Sequence, residues 1–115
     1  MTTSYRGNMN KKNANYLLKK YPKLYNQYYL PADQTCMCWG FMCKDGWFSL
    51  IDELSGKIVK IDKDAEAVEV KEKFGELRFY VNSENKKVQD LTRQYEEKSR
   101  KICENCGNKG KLREG

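Results

Sequence analysis

The chain has 115 residues, of which 39% are hydrophobic and 33% charged, and its formal net charge is +6. This length and balance predict one globular domain, residues 1–115, and exclude a second. No apolar run approaches the roughly 20 residues that a transmembrane helix needs, and the N-terminus lacks the apolar core of a signal peptide. We therefore predict a cytoplasmic protein that does not contact the membrane.

Positive charge is concentrated toward the two ends of the chain. Residues 1–30 have no acidic residue, and their basic residues are Arg6, Lys11, Lys12, Lys19, Lys20 and Lys23. We divide the chain into a basic, tyrosine-rich helical segment (1–30), an α+β core (31–102) and a cysteine-containing tail (103–115). The charge predicts an acidic partner, nucleic acid or a protein surface, with a merely solvated lysine face as the alternative.

A first helix is predicted from Asn10 to Tyr21, because Pro22 cannot continue it. The segment that follows, from Tyr21 to Leu30, is rich in tyrosine, a residue that buries its ring while its hydroxyl reaches water. Such a segment either covers the core or forms a contact surface. The predicted partner-binding residues are Lys11, Lys12, Lys19, Lys20, Tyr21, Lys23, Tyr25, Tyr28 and Tyr29.

The strongest helical pattern runs from about Gly46 to Ile61. Its apolar residues recur with the i, i+3, i+4, i+7 spacing of one buried stripe, and they are Trp47, Leu50, Ile51, Leu54, Ile58 and Ile61. Asp45 is predicted to be the N-cap, accepting a hydrogen bond from an amide of the first turn. Gly56 weakens the helix centre by about 1 kcal/mol relative to alanine, which predicts a soft point or an early end.

Beyond the acidic stretch 62–66 the hydrophobic period changes to two, which indicates strands. Two alternating runs flank Phe74-Gly75, so a β-hairpin is predicted over residues 68–81. Because a lone hairpin is marginally stable, we expect a third strand near residues 35–42. The predicted fold is α+β, a small antiparallel sheet packed against helices and followed by a C-terminal knuckle-like turn.

Two groups of sheet residues are candidates for binding. One face of the hairpin is predicted to be basic and partly aromatic, although Glu69 and Glu76 dilute its charge, and it carries Lys71, Lys73, Arg78 and Tyr80. The other aromatic residues are expected mainly in the core. The alternative for them is a ligand pocket or a base-stacking platform formed by Trp39, Phe41, Trp47, Phe79 and Tyr80.

The last helix, predicted from Ser83 to Ile102, leads directly into Cys103-Glu104-Asn105-Cys106-Gly107. Two thiolates at this spacing on a tight turn are typical of a zinc knuckle. No cysteine follows Cys106 and the chain has no histidine, so the predicted zinc ligands are Cys103, Cys106, Cys36 and Cys38. The alternatives are ligands from another molecule, or no metal and cysteines that act as small buried hydrophobes, which we favour for Cys43. A redox pair is disfavoured because the helix dipole has the wrong sign there.

Sequence patterns of catalysis are missing. Without histidine, the usual general base and nucleophile partner are both lacking, and the sequence has no glycine-rich phosphate loop. The carboxylates Asp45, Asp52 and Glu53 are explained as a cap and an exposed helix face. We therefore predict that the protein is not an enzyme.

Four motifs resemble a group of small uncharacterised proteins encoded mainly by bacteriophages and prophages. These motifs are Cys36-Met37-Cys38-Trp39-Gly40-Phe41, Asp45-Gly46-Trp47, the hairpin from Val70 to Val81 and Cys103-x-x-Cys106-Gly107. The resemblance covers roughly residues 20–113. Members of the group often continue into a second cysteine pair that completes a zinc ribbon. The resemblance implies a phage origin and no particular activity.

Together with the short chain and the lack of sequence patterns of catalysis, the resemblance leads us to expect a phage-encoded inhibitor of a bacterial host factor. Its expected target is a defence component in the host cytoplasm, as for an anti-CRISPR protein, reached through contact with a protein or ribonucleoprotein. One alternative is a zinc-knuckle-like nucleic-acid-binding accessory or regulatory protein. Another is a protein that sequesters a nucleotide messenger.

Overall fold

The computed structural model describes residues 9–30, 37 and 40–102, and over these ranges it is a compact α+β fold. Three α-helices surround a three-stranded sheet, which confirms the predicted fold class. The elements, in chain order, are α1 (Lys11–Lys20), β1 (Phe41–Met42), α2 (Phe48–Ile61), β2 (Glu66–Lys73), β3 (Glu76–Asn82) and α3 (Lys86–Ser99). Short 3₁₀ turns, Asn26–Tyr29 and Asp45–Trp47, precede β1 and α2.

The sheet has the strand order β1-β2-β3. Strands β2 and β3 form the predicted antiparallel hairpin, with Val70 opposite Phe79. Strand β1, however, pairs with β2 in parallel, with Phe41 opposite Val70, so the expectation of a purely antiparallel sheet was wrong. The reason is the connection, because α2 carries the chain back across the sheet and returns it in the same direction. Of the strand predicted near residues 35–42, the described part forms a strand only at Phe41–Met42.

The helix predicted from Gly46 is confirmed as α2, which begins at Phe48 and continues through Gly56 to Ile61. Leu54 and Ile58 on its stripe are fully buried. The predicted cap is wrong, because no side chain caps α2. The Asp45 carboxylate instead accepts hydrogen bonds from the Asn10 backbone N–H at 2.8 Å and from Asn13 Nδ2 at 3.2 Å. Asp45 therefore fixes the start of α1 rather than the start of α2.

The predicted first helix is confirmed as α1, which is one residue shorter at each end because Asn10 is its N-cap and Tyr21 its C-cap. Helix α3 covers most of the predicted 83–102 range, and the Asn85 side chain caps it by accepting from the Lys87 N–H. Side chains of α3 also bind the outer edge of β3. Ser99 Oγ accepts from the Leu77 N–H at 2.8 Å, and Glu96 Oε2 accepts from the Phe79 N–H at 2.9 Å. This edge is therefore closed to pairing with a further strand.

The core lies between α2, the hairpin and the tyrosine segment. Its largest fully buried side chains include Trp47, Tyr25, Tyr95 and Phe79. Phe41 is also buried, so Phe41, Trp47 and Phe79 belong to the core rather than to the alternative ligand pocket. Of the other two residues predicted for that pocket, Tyr80 is exposed and Trp39 lies outside the described residues. None of the helices in the described ranges is long and apolar enough to span a membrane.

Candidate partner-binding surfaces

The outer face of α1 is a basic surface. Lys11, Lys12 and Lys19 are exposed there, and within the described ranges none of these three ammonium groups has an ion-pair partner. Lys11 and Lys12 lie in the first turn, which contains no acidic residue. The helix dipole makes this end favourable for anions and unfavourable for cations. Helix stability therefore does not explain why lysines occupy these positions.

A groove of about 490 Å³ runs along this face of α1, and the residues that line it are Lys12, Asn13, Asn15, Tyr16, Lys19 and Phe48. Two aromatic rings form its apolar part. Tyr16 and Phe48 meet edge to face with ring centroids 5.5 Å apart, and Tyr16 is 47% exposed. The groove thus combines an accessible aromatic pair with flanking lysines. We call it the α1 groove.

A polar network holds Tyr16 in place. Lys20 Nζ donates to Tyr16 Oη at 3.0 Å and to Asp52 Oδ1 at 3.2 Å, and these hydrogen bonds, that of Tyr16 first, raise the pKa of Lys20 above its ordinary value. Tyr21 Oη donates to Asp52 Oδ1 at 2.6 Å. Desolvation, followed by this hydrogen bond, raises the pKa of Tyr21. Lys20 therefore remains protonated and positions Tyr16, while Asp52 balances its charge.

The predicted tyrosine surface is only partly present. Tyr25 is 0% exposed, with its hydroxyl 2.5 Å from Ser55 Oγ, and Tyr21 is buried as well. These two predicted contact residues belong to the core, because their hydroxyls find partners on α2. Tyr29 is 72% exposed, and its ring packs edge to face on half-buried Tyr28 at 5.0 Å. Lys23 reaches the surface beside Asp64, with their charged atoms 3.6 Å apart.

The hairpin face predicted to be basic is balanced by acidic residues. Lys71 forms an ion pair with Glu69 at 3.3 Å, and Arg78 forms one with Glu76 at 3.3 Å. Lys71 and Arg78 are cross-strand neighbours, so the two ion pairs lie side by side, and Tyr80 is exposed. Lys73 is exposed at the end of β2. This face therefore offers little net positive charge to a phosphate.

The predicted zinc ligands Cys103, Cys106, Cys36 and Cys38 lie outside the described residues, as does the predicted knuckle-like turn. Within the described ranges no group of His, Cys, Asp and Glu is arranged to hold a metal ion. The buried indole Nε1 of Trp47 donates to the Ile102 carbonyl at 3.0 Å, which holds the residue just before Cys103 against the core. Zinc binding stays a prediction, and the zinc content of a C103S/C106S variant tests it. Cys43 is fully buried, as the sequence favours.

Four of the six residues that line the α1 groove were not among the predicted partner-binding residues, namely Asn13, Asn15, Tyr16 and Phe48. The sequence pattern predicts no binding role for Tyr16, and Phe48 lies between Trp47 and Leu50 without belonging to the α2 stripe. The helical spacing contained part of the signal, since Tyr16 is four residues from Lys12 and three from Lys19 and so shares a face with both. The position of Phe48 beside that face depends on the packing of α1 on α2.

Comparisons with known proteins identified no relative of this chain. No protein-family model matches the chain, and searches of curated proteins and of solved structures each found no match. The case for function therefore depends on the surfaces described above.

Proposed function

We propose that this is a non-catalytic binding protein that docks on an acidic surface of another protein through the α1 groove. The observation that carries the proposal is the combination of Lys12 and Lys19, which have no ion-pair partner among the described residues, with the half-exposed Tyr16 ring. Aromatic side chains supply much of the energy at protein interfaces. Rim charges chiefly raise the association rate and select the partner. The α1 groove has both components.

The arrangement of the groove favours a protein over a nucleic acid as the partner. Nucleic-acid binding typically neutralises several phosphates spread along a strand. The hairpin face, which the sequence predicts to be basic, is balanced by Glu69 and Glu76. A partner would thus meet the lysines of one helix, a footprint suited to a compact acidic patch.

The resemblance of four sequence motifs to phage-encoded proteins supports a more specific role, and we propose that docking inhibits a bacterial host factor. A defence component, protein or ribonucleoprotein, is the target class that we infer. Inhibition by occupying a surface requires no catalytic group, which agrees with a sequence that lacks histidine.

The proposal is tested by reversing charge in the groove. A K12E/K19E variant removes two groove lysines, and K86E/K87E is the matched control because it changes net charge equally at exposed residues of α3. Both are compared with the native chain as bait in a bacterial lysate, and the affinity for any captured protein is then measured. We expect about tenfold weaker binding for K12E/K19E, since roughly 0.7 kcal/mol per reversed charge sums to 1.4 kcal/mol.

Three outcomes would contradict this function. Equal loss in both variants would show that only net charge matters. Unchanged capture by K12E/K19E would exclude the groove. Binding to single-stranded or duplex DNA that weakens steeply with salt, and that K12E/K19E abolishes, would support the nucleic-acid alternative instead.

A further inference from the structure

The two-residue turn of the hairpin has an unusual residue at its tip. Phe74 and Gly75 join β2 to β3, and both have positive φ angles, 56° and 78°. A hairpin turn of this type favours Asn-Gly or Gly-Gly, because both central residues adopt the left-handed conformation. For a bulky side chain that conformation is unfavourable. Local backbone preference therefore selects against phenylalanine at position 74.

Burial does not compensate for this cost. The Phe74 side chain is 87% exposed, more than any other large hydrophobic side chain in the described ranges. An aromatic ring in water makes no contribution to the core, and its backbone conformation is strained. Residues that violate local preference without a folding benefit are concentrated at functional sites.

The tip is also held in one arrangement. Glu72 Oε2 accepts a hydrogen bond from the Gly75 N–H at 2.7 Å, and the strand ladder continues to Lys73 opposite Glu76. Lys73 Nζ lies 5.6 Å from the centre of the Phe74 ring. A turn whose backbone is already ordered loses little conformational freedom on binding, which favours affinity.

We propose that Phe74 is a binding anchor that inserts into an apolar pocket on a protein partner. Close to the tip, Lys71 and Arg78 are already ion-paired with Glu69 and Glu76. Glu72 adds a negative charge beside Lys73, so the end of the hairpin offers little net positive charge to nucleic-acid phosphates or anionic lipid headgroups. A protein pocket requires no such charge, and its rim can supply a carboxylate for Lys73. The hairpin tip is a separate surface from the α1 groove, so this inference does not rest on the proposed function.

The test places a photo-crosslinker at position 74. The full chain with benzoylphenylalanine in place of Phe74 is irradiated in a bacterial lysate. An excess of either the native chain or the F74N variant is added as the competitor. The native chain should compete for a discrete protein adduct, whereas F74N should compete at least tenfold less well. F74N is a suitable test variant because asparagine tolerates the left-handed conformation. Its melting temperature should therefore equal or exceed that of the native chain.

Every other result overturns the proposal. F74N that competes as well as the native chain would show that the ring is not an anchor. Absence of a competed protein adduct would exclude a protein partner, and an adduct with a second copy of this chain would indicate self-association. Adducts that form with a single-stranded DNA oligonucleotide or with phosphatidylglycerol vesicles, but not with protein, would indicate another class of partner. Because only position 74 varies, the result is independent of the charge reversals on α1.

Discussion

Gly56 lies in the middle of α2, directly beneath the Tyr21 hydroxyl. A Cβ at position 56 would lie 3.3 Å from Tyr21 Oη, close enough that the hydroxyl must move by a few tenths of an ångström. Moving the hydroxyl would weaken a hydrogen bond, because Tyr21 Oη donates to Asp52 Oδ1 at 2.6 Å. The Gly56→Ala variant therefore sets the helix propensity of alanine against a hydrogen bond between α1 and α2.

The two effects are of similar size. Alanine stabilises a helix interior by about 1 kcal/mol relative to glycine. A hydrogen bond to a charged group contributes roughly 1.5–3 kcal/mol, and a displaced hydroxyl forfeits part of this, about 1 kcal/mol. We expect Gly56→Ala to change the free energy of unfolding by less than about 0.5 kcal/mol. In a Tyr21→Phe background the hydroxyl is absent, and the same substitution should stabilise the protein by about 1 kcal/mol.

The double-mutant cycle is measured by urea unfolding followed by far-ultraviolet circular dichroism, with all four proteins required to share one m-value. The expected coupling between positions 21 and 56 is about 1 kcal/mol. Additivity within roughly 0.3 kcal/mol, with alanine equally stabilising in both backgrounds, would refute the reasoning. It would show that the tyrosine accommodates the methyl group without loss of its bond to Asp52.

Two further predictions concern α3 and the segment that follows it. Desolvation, opposed mainly by the hydrogen bond from the Phe79 N–H, raises the pKa of Glu96 above its ordinary value of 4.5, so ionised Glu96 destabilises the fold and this cost is relieved as pH falls through the raised pKa. Glu96→Gln keeps the hydrogen-bond acceptor and removes the charge. As the pH falls from neutral to about 4.5, urea titrations should show the native chain gaining stability relative to the variant. A stability difference that stays constant with pH would contradict this assignment. Trp47→Phe removes the hydrogen bond to the Ile102 carbonyl and leaves a cavity, so it should lower the free energy of unfolding by about 2 kcal/mol. Thermal melts followed by circular dichroism measure this loss, and a loss below about 0.5 kcal/mol would contradict the prediction.

Several elements could be predicted because their signals are local. The stripe that includes Leu54 and Ile58 predicted α2, and the alternation on either side of Phe74-Gly75 predicted the hairpin. Periodicity is a property of consecutive residues, so it is visible before the chain folds. The candidate site was predicted less well. The exposed lysines of α1 were identified, whereas Tyr16 and Phe48 were not, and Phe74 was identified only as a turn residue.

The sequence by itself determined the fold class, the three helices, the hairpin and the basic character of the N-terminal segment. Only the tertiary structure decided that β1 runs parallel to β2, that Asp45 binds the start of α1, and that Tyr25 is buried while Tyr29 is exposed. Each of these features depends on residues that are distant in sequence. Tyr25 and Tyr29 are the same residue type, and their burial differs only because different residues pack against them. The same holds for the α1 groove, because its aromatic pair exists only where α1 and α2 meet.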